Sequence, residues 1–265
     1  MDAGSSKEVT LLKALRLALI VLPAALAIGC GANDSPTAPD APRPRAVITG
    51  SGDITAQVAA FRAGLGDPNN GGTAGAQPSG RREVNWDGVP ANFTNVDSFP
   101  GDFFNTRSPR GLVLTTPGLG LRVSDTNAAD LDPSFAQQFG FFSPRKTFLA
   151  AGSAVVDATF RVPGSDTPAA ISGFGVVFSD VDHLGSATIE LFGAQGSLGK
   201  FEAPARDASG PLSFLGVAFD GKVVTRVRIV SGQGAVSAGA RDVSNGGTLD
   251  LVIMDDFLYD EPQVQ

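Results

Sequence analysis

Two pairs of aspartates, a lone histidine and a lone cysteine are the residues of this sequence whose types and spacing invite chemistry. Asp180 and Asp182 close one apolar run. Asp255 and Asp256 interrupt another, Leu251-Val252-Ile253-Met254-Asp255-Asp256-Phe257-Leu258-Tyr259. Side chains of an extended strand alternate between its faces, so one aspartate of the adjacent pair must share a face with Ile253 and Phe257, or with Met254 and Leu258. A bare carboxylate on a buried face is costly and needs a cation or hydrogen-bond donors.

Three solutions are open. An arginine such as Arg81 or Arg82 can pair with the carboxylate bidentately, or backbone N–H groups can bind it. Ca²⁺ can take carboxylate oxygens from Asp180, Asp182, Asp255 and Asp256 together with loop carbonyls, although the D-x-D-x-D-G order of an EF-hand loop is absent. Paired carboxylates also serve glycoside hydrolysis when held roughly 5 to 10 Å apart, which makes Asp180 or Asp182 with Asp255 or Asp256 the candidate acids. The arginine or backbone-bonded reading ranks first, structural calcium second and catalysis last. No other cofactor is expected.

His183 stands beside carboxylates in Asp180-Val181-Asp182-His183, but no G-x-S-x-G turn presents a serine for it to activate. One histidine cannot build a zinc site of two or three, so His183 reads as a loop residue after a strand. The absence of G-x-x-x-x-G-K-[ST] removes support for nucleotide binding. Trp86, with Arg81 and Arg82 upstream, offers a ligand site, while an aromatic between Asn85 and Asp87 at a strand end more often plugs a core.

The formal net charge is −7, and only Arg43 with Arg45 and Arg81 with Arg82 cluster basic charge, so nucleic-acid binding is not expected. Cys30 is the single cysteine, which excludes an intrachain disulfide and a cysteine-cluster metal site. Lys7, Lys13 and Arg16 precede an apolar run from Leu17 to Ile28 that is shorter than the roughly twenty residues needed to span a bilayer. The ending Ala27-Ile28-Gly29-Cys30 resembles a bacterial lipobox, with Ala27 where the pattern prefers a larger aliphatic residue. The expectation is a lipoprotein signal peptide over 1–29 and a lipid on Cys30. The protein would then sit in the bacterial cell envelope, anchored in a membrane and facing the periplasm or the outside.

The elements that must position these residues follow from patterning. Residues 30–50 are Pro-rich and polar, a semi-rigid tether. Ile54, Val58, Phe61 and Leu65 share one face of a short helix starting near Asp53, followed by a flexible Gly-rich loop to residue 80. From 81 to 262, short apolar runs alternate with turn residues: 112–115, 119–124, 154–162, 171–178, 187–192, 198–201, 212–219, 223–230 and 249–259. With Gly 33 and Pro 18 overall, this series predicts an all-β antiparallel sandwich, jelly-roll-like, of about ten strands. Arg226 and Arg228 alternate with Val227 and Ile229 as in a half-buried strand, and Gly193-Ala194-Gln195-Gly196 predicts a hairpin turn.

The blocks Arg81-Arg82-Glu83-Val84-Asn85-Trp86-Asp87-Gly88-Val89-Pro90 and Phe103-Phe104-Asn105-Thr106-Arg107-Ser108-Pro109-Arg110-Gly111 resemble the opening of an uncharacterised bacterial secreted-domain family. So do the later blocks Gly173-Phe174-Gly175-Val176-Val177-Phe178 with Asp180-Val181-Asp182, Ser213-Phe214-Leu215-Gly216-Val217 and Met254-Asp255-Asp256-Phe257-Leu258-Tyr259. Some members carry a PEP-CTERM sorting tail. The resemblance implies an extracytoplasmic β-sandwich and names no activity. The resulting expectation is a structural, adhesive or ligand-binding module whose partners are a membrane, through Cys30, and an envelope or extracellular polysaccharide or protein. A carbohydrate-active hydrolase is the alternative.

Overall fold

The computed structural model describes residues 42–265; the expected signal peptide, Cys30 and most of the expected tether lie outside the described residues. In chain order the elements are β1 (Ala46–Ser51), α1 (Thr55–Leu65), β2 (Arg81–Val84), α2 (Phe103–Thr106), β3 (Leu112–Thr115) and β4 (Gly120–Ser124). They continue with β5 (Thr147–Ala151), β6 (Val155–Phe160), β7 (Gly173–Ser179), β8 (Ala187–Gly193) and β9 (Gly196–Glu202). The last three are β10 (Leu212–Ala218), β11 (Arg226–Ser231) and β12 (Ile253–Asp260).

Each of the nine apolar runs yields a strand, because β-branched and aromatic side chains pack well on a pleated surface. β8 and β9 form the expected hairpin, with Gly193 opposite Gly196. On β11, Val227 and Ile229 are buried while Arg228 is exposed. All named strands pair antiparallel. Strands β5 to β12 wind as a jelly roll, ordered β10-β7-β12-β5 in one sheet and β6-β11-β8-β9 in the other. β1 extends the first sheet beyond β10, β4 extends it beyond β5, and β2 pairs with β12; β3 extends the second sheet beyond β6.

Between the sheets lie Phe148, Phe174, Val176, Phe178, Leu215, Phe257 and Tyr259 from one side, facing Val156, Phe160, Ile189, Leu191, Val227 and Ile229 from the other. The first sheet is also covered outside. Val58, Phe61 and Leu65 of α1 pack on Val177, Phe214 and Leu258, and Phe135 and Phe139 pack on Leu149 and Ile253. The helix keeps the predicted buried face, and Asp53 accepts a hydrogen bond from the Thr55 N–H at 3.1 Å. Its close approach requires glycine. Gly175 and Gly216 stand directly opposite each other on β7 and β10, and a Cβ on either would meet the Phe61 ring at 2.7 Å.

Two boundaries move. The tether expected to run to residue 50 gives way at Ala46 to β1, so the sandwich includes β1 and α1 and does not begin at Arg81. The Gly-rich stretch before residue 80, expected as a flexible loop, wraps a buried ion pair. The Arg82 guanidinium meets both oxygens of Glu261 at 2.6 and 2.7 Å and donates to the carbonyls of Gly71 and Thr73, each at 2.8 Å. Glu261 in turn accepts from the Gln77 N–H at 3.0 Å. The hydrogen-bonding capacity of a buried arginine fixes this loop where apolar periodicity gave no sign of order.

Replacing Gly216 by valine should destabilise the fold by about 1–3 kcal/mol, the usual cost of overpacking, by lifting α1 off the sheet. Urea unfolding with hydrogen exchange checks this; unchanged stability and unchanged protection across 55–65 would contradict the packing.

Candidate functional site

The parity problem of the last strand is solved by a bulge. Met254 pairs with Phe178 and Phe257 with Val176, so two residues of β12, Asp255 and Asp256, oppose one of β7. Met254, Phe257 and Tyr259 thereby all face the core, and both aspartates leave it. Asp255 accepts from the N–H groups of Phe142 and Ser143 at 2.6 and 3.3 Å, and Asp256 from the Ser143 hydroxyl at 2.7 Å. Arg62 of α1 lies 3.6 Å from Asp256. The Asp255 carbonyl accepts from the Trp86 indole at 2.8 Å. Burial, then the neighbouring Asp256 charge, pushes the Asp255 carboxyl up to about 9, and burial raises Asp256 as well. Asp255 thus holds a proton at neutral pH.

Asp180 and Asp182 go elsewhere, so the four-aspartate calcium set does not assemble. They lie in the β7–β8 connection and converge with Asp242, from the β11–β12 connection, carboxylate oxygens all within 4.8 Å of one another. Arg206, from the β9–β10 connection, places Nε 2.7 Å from Oδ1 of both Asp180 and Asp182. Asp180 has a left-handed backbone (φ +70°) and a side chain only 3% exposed, and its Oδ2 has no hydrogen-bond partner. Burial, then the Asp182 charge, pushes it up to about 7. Burial also raises Asp182. Burial opposes ionisation of Asp242 too, but bonds from the Leu251 N–H and from Ser244 outweigh it and hold Asp242 below the usual range. Asp250 lies close by, its Oδ2 accepting from the N–H groups of Asp182 and His183 and from Ser186 Oγ at 2.6 to 2.9 Å.

These connections and the β4–β5 connection wall a cleft of about 540 Å³ at one end of the sandwich, lined by Ser134, Gln137, Gln138, Asp180, Arg206 and Asn245 among others. A neighbouring cleft of about 400 Å³ shares Ser134, Gln138 and Asn245 and reaches Asp242. The wall is mostly hydrogen-bonding side chains.

The remaining candidates are architectural. Trp86 is buried with φ +63°, stacked on Phe148 at 4.1 Å between centroids. Arg82 is sealed on Glu261, and Arg81 pairs with Glu83 and Asp67, so these three do not form a ligand site and neither arginine serves Asp255 or Asp256. His183 is an exposed loop residue. Arg206, Asp242 and Asp250 escaped the sequence reading. The signal present was an aspartate set between Leu249 and Leu251, where an approaching strand leaves little room for an unpaired charge.

What fold and site together define is an all-β jelly-roll sandwich with a polar, carboxylate-floored cleft at one end. No family model matches the chain, and no curated protein or solved structure matches it significantly.

The Asp255 proton has a thermodynamic consequence. Its folded value is raised above the ordinary 3.8, so the stability linked to it is full below that value and is lost as pH rises towards about 9. Asp180 contributes the same sign up to about 7, and Asp256 and Asp182 act in the same direction, so the Asp255 share between about pH 7 and about 9 is read by substitution. In that window the melting temperature should fall with pH, and Asp255→Asn, which mimics the protonated group, should flatten the fall. A wild-type slope in the variant would refute this account.

Proposed function

We propose that the mature chain is a non-catalytic module of the bacterial cell envelope, lipid-anchored at Cys30, whose cleft binds an envelope or extracellular polysaccharide. The observation that carries this reading is the polarity of the sandwich. β1 enters the first sheet at Ala46, opposite Ala218, and ends at Ser51, opposite Ser213. Leu212 pairs with Ser179, which immediately precedes Asp180. The cleft therefore lies at the pole away from the one where the chain enters, and a chain tethered before Ala46 presents it outward. A wall of Ser134, Gln137, Gln138 and Asn245 offers neutral donors and acceptors of the kind that satisfy sugar hydroxyls.

The hydrolase alternative loses its residue pairs. Asp255 and Asp256 are buried against Ser143 and α1, so neither completes a pair with Asp180 or Asp182 at the cleft. A catalytic acid must reach the glycosidic oxygen.

Cys30→Ser should move the protein from the membrane fraction to the soluble extracytoplasmic fraction; retention in the membrane would refute the anchor. On a glycan array, Gln137→Ala combined with Asn245→Ala should weaken saccharide binding at least about tenfold, equivalent to about 1.4 kcal/mol. Absence of any bound glycan, binding indifferent to the double change, or polysaccharide hydrolysis abolished by Asp180→Asn would each overturn the non-catalytic cleft reading.

A further inference from the structure

We infer that Asp180, Asp182 and Asp242 form a calcium site that ties together the connections at the cleft pole of the sandwich. The three carboxylates belong to segments far apart in sequence, yet an oxygen from each lies within 4.8 Å of the others. Oxygens on one calcium, each at 2.3 to 2.6 Å from the ion, lie up to roughly 5 Å apart, so the three fit a single coordination sphere without moving their strands.

The arrangement of partners points the same way. Arg206 occupies Oδ1 of Asp180 and Oδ1 of Asp182 and leaves Oδ2 of each without any hydrogen-bond donor. For Asp180 this is an orphaned charged atom on a side chain that is 97% buried, as its 3% exposure gives. Such an atom is strongly destabilising unless a ligand reaches it. Asp242 Oδ1 accepts from the Ser244 N–H and hydroxyl at 2.7 and 2.6 Å, while Oδ2 accepts only from the Leu251 N–H at 2.7 Å and keeps a lone pair for an ion. With Asp250 close by as well, carboxylates outnumber the one guanidinium here, the surplus of acceptor oxygens that a divalent cation uses. Arg206 then serves to orient two ligands, as groups around metal sites commonly do. Serine and amide oxygens of the cleft, loop carbonyls and water can complete a sphere of six to eight.

The ion would join the β7–β8, β9–β10 and β11–β12 connections, the last through Asp242 and the second through Arg206. Those connections share the cleft wall with the β4–β5 connection. The inference does not depend on what the cleft binds, since a purely architectural ion would use the same oxygens.

The test is titration calorimetry of the chelator-treated full-length protein with CaCl₂, paired with thermal melts in about 5 mM CaCl₂, MgCl₂ or EGTA. One site is expected, with a dissociation constant on the order of 10⁻⁵ to 10⁻³ M, the span from calcium sensors to extracellular modules. Calcium should raise the melting temperature by several degrees, with magnesium much weaker. Asp182→Asn keeps the acceptor for Arg206 and should weaken calcium at least tenfold while remaining folded. Asp242→Asn should do the same, and Asp220→Asn, exposed at the opposite pole where Ala218 pairs with Ala46, should leave calcium binding unchanged. No calcium heat and no difference from EGTA would overturn the site. So would calcium binding that survives both cluster substitutions, or magnesium acting as strongly as calcium.

Discussion

Strand β12 is hydrogen-bonded along both edges and covered on both faces, so each of its eight side chains must be accommodated without water. Its sequence carries apolar residues on both sides of two consecutive aspartates, and a regular strand would send one of those carboxylates between the sheets. The single extra residue of the bulge removes that outcome and shifts Phe257 and Tyr259 into register with the core. Much of the surrounding architecture answers to this choice. The bulge frees the Asp255 carbonyl from the ladder, and the Trp86 indole reaches through the core to occupy it. Trp86 does so from a left-handed backbone unfavourable for a bulky residue, held there by its stack on Phe148 and edge contacts to Phe104 and Phe257. The segment carrying Phe142 and Ser143 supplies donors to the aspartates, and α1 closes over them with Arg62.

Period-two patterning and turn residues made the strands legible, because burial of alternate side chains leaves a direct mark on sequence. The helix face of Ile54, Val58, Phe61 and Leu65 was legible for the same reason. β1, β2 and β5 were not. Ala46–Ser51 contains two glycine or serine positions and an exposed Val47, and its strand character comes from pairing with β10 rather than from its own pattern. Arg82 on β2 reads as a partner for Asp255 or Asp256 or as part of a ligand site, yet it is completely buried on Glu261 and a ring of carbonyls, and those partners come from segments up to 179 residues away. The site was half legible. Asp180 and Asp182 announced themselves at a strand end, but which distant carboxylate would join them depends on loop closure, which leaves no periodic trace.

The chain's aspartates illustrate how environment divides one side chain into several roles. Asp260 is met on several sides by donors, with Lys222 and the N–H groups of Ser172 and Gly173 bound to it. Asp255 and Asp256 sit side by side with few cationic neighbours, and a proton relieves their repulsion. Asp180, Asp182 and Asp242 have one arginine among three carboxylates, which neither fully neutralises them nor leaves them free to protonate together. The number of donors that the fold can bring to each group, more than burial itself, separates these cases.

That separation also has a place in the topology. In an antiparallel jelly roll the connections divide between two poles, and backbone N–H groups in tight connections need acceptors as soon as they leave the ladder. At the pole of Asp180 the acceptors are aspartates: Asp250 takes the N–H groups of Asp182 and His183, and Asp242 takes those of Ser244 and Leu251. Each carboxylate so employed brings a second oxygen or a spare lone pair to the same confined region, and Asp250 Oδ1 and Asp180 Oδ2 remain without donors. The acidic cluster therefore arises from the way the loops are tied, and concentrates negative charge where the cleft opens. At the opposite pole the buried charges are instead matched one to one, Arg82 with Glu261 and Lys222 with Asp260. A sandwich built this way has one electrostatically closed end, where the chain enters the sheet at Ala46, and one end whose charge is still to be balanced.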